Sequence, residues 1–192
     1  MAISLKKGEK VDLTKGRSGL SKILVGLGWD TSKYDGEKDF DLDASAFLLL
    51  GNDRVMNDSD LVFYSAPNHP SGSVWSMGDD RSGGSGGDDE QIKVDLSKIP
   101  ANYEKIAFTV SIYDESGKQN FGQVSNAFIR IEDESNNNEI LRYDLAEDFS
   151  LETAVFVGAL YREGAEWKFN AVGKGFCGGL EAICKNFGVN VK

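Results

Sequence analysis

The residues of this chain with chemical potential are carboxylates, and they are crowded. The segment DFDLDAS, Asp39 to Ser45, places acids at every second position, Asp39, Asp41 and Asp43, with Phe40, Leu42 and Ala44 between them. Successive side chains of an extended strand point to opposite faces, so the three acids share one face and the apolar residues share the other. Carboxylates about 6.6 Å apart along such a face repel unless a cation lies among them. A helix would scatter the acids and bury nothing coherent, so a strand is predicted. The segment GDDRSGGSGGDDE, Gly78 to Glu90, adds five more acids. Asp79 and Asp80 close one predicted strand, and Asp88, Asp89 and Glu90 open the next. The loop between them, RSGGSGG, has four glycines in seven residues and can draw its flanking acids together. Hard oxygen donors with no His or Cys among them suit Ca2+. Mg2+ takes fewer carboxylates and keeps its water, and Zn2+ takes nitrogen or sulfur. An EF-hand is excluded, because Ala44 and Leu50 stand where that loop needs glycine and a bidentate acid. The competing interpretation is a solvated acidic face beside a glycine-rich turn.

The charge distribution bears on that choice. The 192 residues carry 21 Lys and Arg against 31 Asp and Glu, a net charge of −10. Between Asp30 and Glu90 there are 14 acids and 4 bases, whereas the remainder balances at 17 of each. A general need for solubility would not confine the surplus to one third of the chain. Nucleic-acid binding is not expected, since phosphate contacts require a basic face. No apolar stretch reaches the roughly 18 residues of a membrane-spanning helix, and MAISLKKGEK has no apolar core of a secretory signal. Two cysteines exclude a disulfide scaffold and fit a reducing compartment. The expectation is one cytoplasmic domain over 1–192 without a transmembrane segment.

Alternation of period two then supplies the elements that must hold the acids. KILVGLGW, SAFLLLG, LVFYSA, SVWSMG, EQIKVDL, KIAFTVSIYD, AFIRIED, EILRYDL, AVFVGALYRE and EWKFNAVGKGF all read as short strands. In KIAFTVSIYD, Ile106, Phe108, Val110 and Ile112 face one way and Ala107, Thr109, Ser111 and Tyr113 the other. DLSKIP is a turn of helix stopped by Pro100. GGLEAICKNFGV places Leu180, Ile183, Cys184 and Phe187 on one helical stripe ending at Gly188. The fold class predicted is all-β, a sandwich of two antiparallel sheets with a short C-terminal helix.

Several ordered motifs are shared with a known family. VGLGWD (Val25 to Asp30), DFDLDAS, the spaced Gly and Asp pattern of Gly78 to Glu90 and NFGQVSNAFIRI (Asn120 to Ile131) closely resemble the TerD family of bacterial tellurite-resistance and stress proteins. ISLKKGEKVDLTK and CGGLEAICKNFGV resemble it too, so the likeness spans nearly the whole chain. It implies a β-sandwich and Ca2+, two ions, held at the acidic motifs. Carried over position by position, the metal ligands are Asp39, Asp41, Asp43, Asp79, Asp88, Asp89 and Glu90. Asp80 joins them, standing where the family commonly has Asn. The loop has lost acids in its middle and gained this one at its start. The resemblance also implies a binding or scaffold module for protein partners, membrane-associated tellurite-resistance components among them.

Other residues receive plainer interpretations. His69, in APNHPSG, is read as a turn residue with no nucleophile placed beside it. Cys177 and Cys184 are read as small core residues, too far apart for a disulfide on one helix. Trp29, Trp75 and Trp167 are read as core aromatics. GLGWD lacks the downstream helix of a dinucleotide-binding turn. Asp30 and Asp114 are further cation ligands or strand-end caps. Two alternative functions remain open: a metal-dependent hydrolase of phosphate-containing substrates, and a calcium-mediated membrane-docking domain. No catalytic residue stands out, so an enzyme is not expected.

Overall fold

A computed structural model describes residues 1–31, 41–79, 87–113, 117–145 and 149–191, with the side chains of Thr31 and Asp79 outside that description. Among the described residues the strands are β1 Ile3–Leu5, β2 Lys10–Asp12, β3 Lys22–Thr31, β4 Asp41–Leu49, β5 Leu61–Val62, β6 Val74–Asp79, β7 Glu90–Asp95, β8 Lys105–Tyr113, β9 Val124–Asp133, β10 Asn138–Asp144, β11 Ala154–Glu163 and β12 Glu166–Phe176. One helix, α1 Gly179–Phe187, follows and stops at Gly188, whose left-handed backbone suits glycine. The first sheet runs β1-β10-β9-β3-β7-β6 and the second β2-β12-β11-β8-β4-β5. Every pairing is antiparallel except β1 with β10. The predicted sandwich and C-terminal helix are therefore present. β1 and β2 were not expected; three residues are too few for alternation to declare itself.

The core forms as the alternation requires. Ile23, Val25 and Leu27 of β3 meet Leu42, Ala44 and Leu48 of β4 between the sheets, together with Ile106, Phe108, Val110 and Ile112 of β8. Burying side chains of this size stabilises by roughly 1.5–3 kcal/mol each before the entropy of ordering is subtracted. The other parity of β4 and β8 is also covered. Phe47, Leu49 and Ala107 lie beneath Ile183, Cys184 and Phe187 of α1, forming a second, smaller core. Cys184 belongs to it, but Cys177 precedes the helix and is exposed. Trp167 is buried and Trp29 packs partly against the main core.

Topology gathers the acidic segments at one end. The chain leaves the first sheet at Thr31 and enters the second at Asp41, ten positions later. It leaves the second at Tyr113 and returns at Val124. Antiparallel register places Leu27 opposite Glu90, Thr31 opposite Val124 and Asp41 opposite Tyr113. The C-terminal ends of β3, β6 and β8 and the N-terminal ends of β4, β7 and β9 therefore share one end of the sandwich.

Candidate metal centre

The DDE run at the start of β7 is three acids with three different surroundings. Glu90 has the parity of Ile92 and Val94, which point into the main core, and it is buried. Asp88 lies on the outer face of the first sheet. Arg130 donates to both its oxygens, Nε to Oδ1 at 2.7 Å and Nη2 to Oδ2 at 2.7 Å, and the carboxylate is 1% exposed. Gln91 adds a bond from Nε2 to Oδ2 at 2.9 Å. Asp89 is tied to β3 instead. Its amide donates to the Leu27 carbonyl at 2.8 Å, and its Oδ2 accepts from the Trp29 amide at 2.8 Å. Burial pushes the Asp89 carboxyl above its ordinary value. The charges of Asp30 and Asp88 push it the same way, and the Trp29 amide only partly offsets them.

Asp30 is brought beside Asp89 by a bulge. Between the pairs Gly28–Phe128 and Asp30–Ser125, the two residues Asn126 and Ala127 of β9 face Trp29 alone. Asn126 adopts φ +52° there, and its Nδ2 donates to Asp30 Oδ2 at 2.7 Å. In the second sheet Asp41 is exposed opposite Tyr113, and Asp43 is half-buried opposite Ser111. Their parity is the predicted one, since Leu42 and Ala44 enter the core. Asp79 ends β6 opposite Glu90. Asp39, Asp80 and Asp114 lie outside the described residues. Among the described residues no three carboxylates, imidazoles or thiols converge tightly enough to hold a metal by themselves. The donor set available at this end is oxygen throughout, the type Ca2+ takes. His69 and Cys184 sit elsewhere in the fold, whereas Cys177 follows β12 at this end, its thiol directed at the Leu151 carbonyl.

The motifs also contain residues that the acids conceal. A Cβ on Gly26 would run into the Asp88 carboxylate, and one on Gly28 into the Phe128 ring. The glycines of VGLGWD are thus spaces for side chains crossing the first sheet. In NFGQ, the Asn120 side chain accepts from the Gly122 amide, while the Asn120 amide donates to Gln123 Oε1, capping the short 3-10 turn 121–123. Arg130 passed unnoticed because a lone cation in FIRI carries no spacing signal.

His69 is more than a turn residue. Its Nε2 lies 3.1 Å from Asp60 Oδ1 and its Nδ1 lies 2.7 Å from Ser71 Oγ. A serine therefore does lie beside it. The Ser71 amide also donates to Nδ1, at 3.1 Å, and Ser71 Oγ bonds Ser73 Oγ at 2.6 Å. Tyr103 donates from its hydroxyl to Asp60 Oδ1 at 2.6 Å, and the amides of Met56 and Asn57 donate to Oδ2. The network ties the 57–60 turn, the 67–73 turn and Tyr103 together; its hydroxyls are engaged in closing the turn.

Comparison with known proteins gives a consistent result. The family model described as TerD domain matches residues 1–187. General stress protein 16U of Bacillus subtilis (strain 168) is 55% identical over 192 residues, all of both chains. Tellurium resistance protein TerD of Serratia marcescens is 50% identical over 191 residues, 99% of each chain. The crystal structure of a homologue of telluride resistance protein (TerD), SCO6318 from Streptomyces coelicolor A3(2), superposes with a TM-score of 0.62 at 21% identity, covering 84% of this chain and 93% of that one. At that identity the likeness concerns the fold.

Proposed function

The chain belongs to the TerD family, and from that premise we propose that it is a calcium-binding module of the tellurite and general stress response, whose acidic end is ordered by the ion. The observation that carries this reading is Asp89, a partly buried carboxyl set against Asp30 and Asp88 at the end of the sandwich where the acidic segments meet. Such crowding is costly without a cation. The residues that would hold the ion are Asp39, Asp41, Asp43, Asp79, Asp80, Asp89 and Glu90, with Asp30 beside them. Asp88 stands apart from that set because Arg130 takes both its oxygens. A bound Ca2+ supplies the positive charge that lets these carboxylates stay ionised side by side. The strand ends hold them in register, and Asn126 and the Trp29 amide orient Asp30 and Asp89. An end fixed in this way offers a rigid surface to a protein partner. The names of the relatives, a general stress protein and a tellurium resistance protein, support the physiological setting.

The test is calorimetric titration with Ca2+ alongside thermal unfolding. Binding to the folded form alone adds about 2.7 kcal/mol at about a hundred times Kd. The melting temperature is expected to rise with Ca2+, and Asp41→Asn with Asp43→Asn to remove most of that rise. Absence of binding heat at about 1 mM Ca2+ (a Kd above that is already weak for a dedicated site) defeats the reading.

A further inference from the structure

A trough runs along β11 on the outer face of the second sheet, beside the last turn of α1, with a volume of about 460 Å3. Ala159 of β11 and Val172 of β12 lie at its floor, Phe156 stands at one end and Tyr161 at the other, and Phe187 of α1 walls one side. Alanine between two rings leaves a socket the size of one apolar side chain, bounded at both ends. The two ends are four residues apart in register, since Phe156 pairs with Thr109 of β8 and Tyr161 with Lys105. At about 3.3 Å per residue they are about 13 Å apart.

Positive charge collects at both ends of this trough, against the net charge of −10 on the chain. Lys174 is in register with Phe156, and its Nζ leans outward to lie 5.0 Å from the centre of the Phe176 ring. At the other end Lys10 Nζ lies 5.5 Å from the centre of the Tyr161 ring. Arg54 belongs to that end too, in the turn that follows Leu49, the register partner of Lys105. Lys105 pairs with Asp53 at 2.5 Å. Among the described residues no acid pairs with Lys10, Arg54 or Lys174. The aromatic faces steady the two ammonium groups and leave their charge uncompensated.

A single small anion reaches one end of the trough and leaves the other bare. An extended peptide meets both. Its side chains at i, i+2 and i+4 share one face, and four residues span about 13 Å, the distance between the two ends. Acids at i and i+4 then lie at the two cationic ends while the residue at i+2 stands over Ala159. Glutamate is long enough to follow the outward lean of Lys174, and leucine suits a socket between two rings. We propose that this trough docks an extended acidic segment of a partner protein with the pattern Glu-x-Leu-x-Glu. The leucine enters between Phe156 and Tyr161, one glutamate meets Lys174, and the other meets Lys10 and Arg54. Pockets for alternate side chains supply the selectivity, and charge complementarity at the ends fixes the register. The trough shares no residue with the acidic end, so it stands or falls independently of calcium.

The test is an NMR titration of the 15N-labelled full chain in calcium-free, low-salt buffer with the acetylated and amidated peptide Glu-Ser-Leu-Ser-Glu, to about 5 mM. Its isomer Glu-Leu-Ser-Ser-Glu has the same charge and composition but turns the leucine to the other face. The first peptide is expected to shift the amides of Arg54, Ala159 and Lys174 saturably and to bind about tenfold more tightly than the isomer. Lys174→Glu, at the exposed rim, should weaken it severalfold. The same variant should regain affinity for one of Lys-Ser-Leu-Ser-Glu and Glu-Ser-Leu-Ser-Lys, which also gives the direction of the peptide. Equal binding of the two isomers would reduce the trough to a charged patch and overturn the proposal. So would shifts elsewhere, no shifts at all, or failure of both lysine peptides to rescue Lys174→Glu. Shifts of the same amides on concentrating the chain alone would place a second copy in the trough and overturn it as well.

Discussion

Arg130 grips Asp88 across the outer face of the first sheet with two parallel 2.7 Å bonds, over the bare backbone of Gly26. The pair is a fork meeting a carboxylate, the geometry for which guanidinium is better suited than ammonium. A third donor of Arg130, Nη1, reaches Glu132 Oε2 at 2.6 Å. The hydrogen bond to Asp88 is the main reason the guanidinium is held even more firmly in its charged form than usual, although burial opposes it. One arginine thus withdraws one member of the acidic run from the end of the sandwich and uses it to clasp β7 to β9 across β3.

Removing Arg130 would strand a carboxylate that is 1% exposed. Arg130→Ala is expected to lower stability by about 3 kcal/mol, the size associated with breaking a buried pair from one side. Arg130→Lys should recover part of this, since charge returns but the fork does not. Gly26→Ala should be destabilising as well, because its Cβ would displace the Asp88 carboxylate. Urea midpoints for the three variants measure this, and a midpoint for Arg130→Ala equal to that of the unaltered chain would refute it.

Asp89 is expected to give a pH dependence of unusual sign. Burial, and then the charges of Asp30 and Asp88, hold its folded-state carboxyl above the unfolded value of 3.8. Between these two values the folded chain carries more proton than the unfolded chain. Its contribution is therefore fully favourable below 3.8 and is lost as pH rises through the folded value. At neutral pH the ionised group is a burden on the ion-free protein. Asp89→Asn keeps an oxygen for the Trp29 amide and removes the charge. In chelator at pH 7 it should melt higher than the unaltered chain, and Ca2+ should stabilise it less. A lower melting point in chelator counts against the assignment.

Asp60 works in the ordinary direction. Burial pushes its carboxyl up, but hydrogen bonds from Tyr103, Asn57, His69 and Met56 outweigh burial and hold it below 3.8. Its stabilisation is present above 3.8 and is lost as pH falls through the folded value. Burial of the ring, together with the same contact, pushes the Tyr103 hydroxyl up to about 12. Tyr103→Phe removes the strongest bond lowering Asp60. It should cost about 1–2 kcal/mol at neutral pH and move acid unfolding to a higher pH. Circular dichroism against pH for both chains decides the matter, and coincident acid transitions would show that the hydroxyl does not set the Asp60 titration.

Much of the architecture could be read along the chain because it depends on alternation. Leu42 and Ala44 turn inward and Asp41 and Asp43 outward on parity alone. The helix over Gly179–Phe187 follows from a stripe at three- and four-residue spacing and a terminal glycine. Where alternation is short or broken, the reading weakened. LVFYSA is a strand only over Leu61–Val62, and it then folds back through an isolated bridge between Phe63 and Ala66. His69 reads as a turn residue, yet its ring is buried by Asp60 and Tyr103, which are remote in sequence or on another element.

The residues by themselves determined that this protein is a sandwich of alternating strands carrying its surplus negative charge in two short segments, since alternation and charge are properties of neighbours in the chain. The tertiary structure decided which acid does what. Asp88, Asp89 and Glu90 are adjacent, yet Asp88 lies on the outer face and Glu90 points inward, because the regular alternation of β7 begins only at Glu90. What waits on each side depends on sheet order and register: Arg130, 42 residues onward, for Asp88; the Trp29 amide for Asp89; the core for Glu90. No local pattern encodes a partner brought in by the pairing of β3 with both β7 and β9.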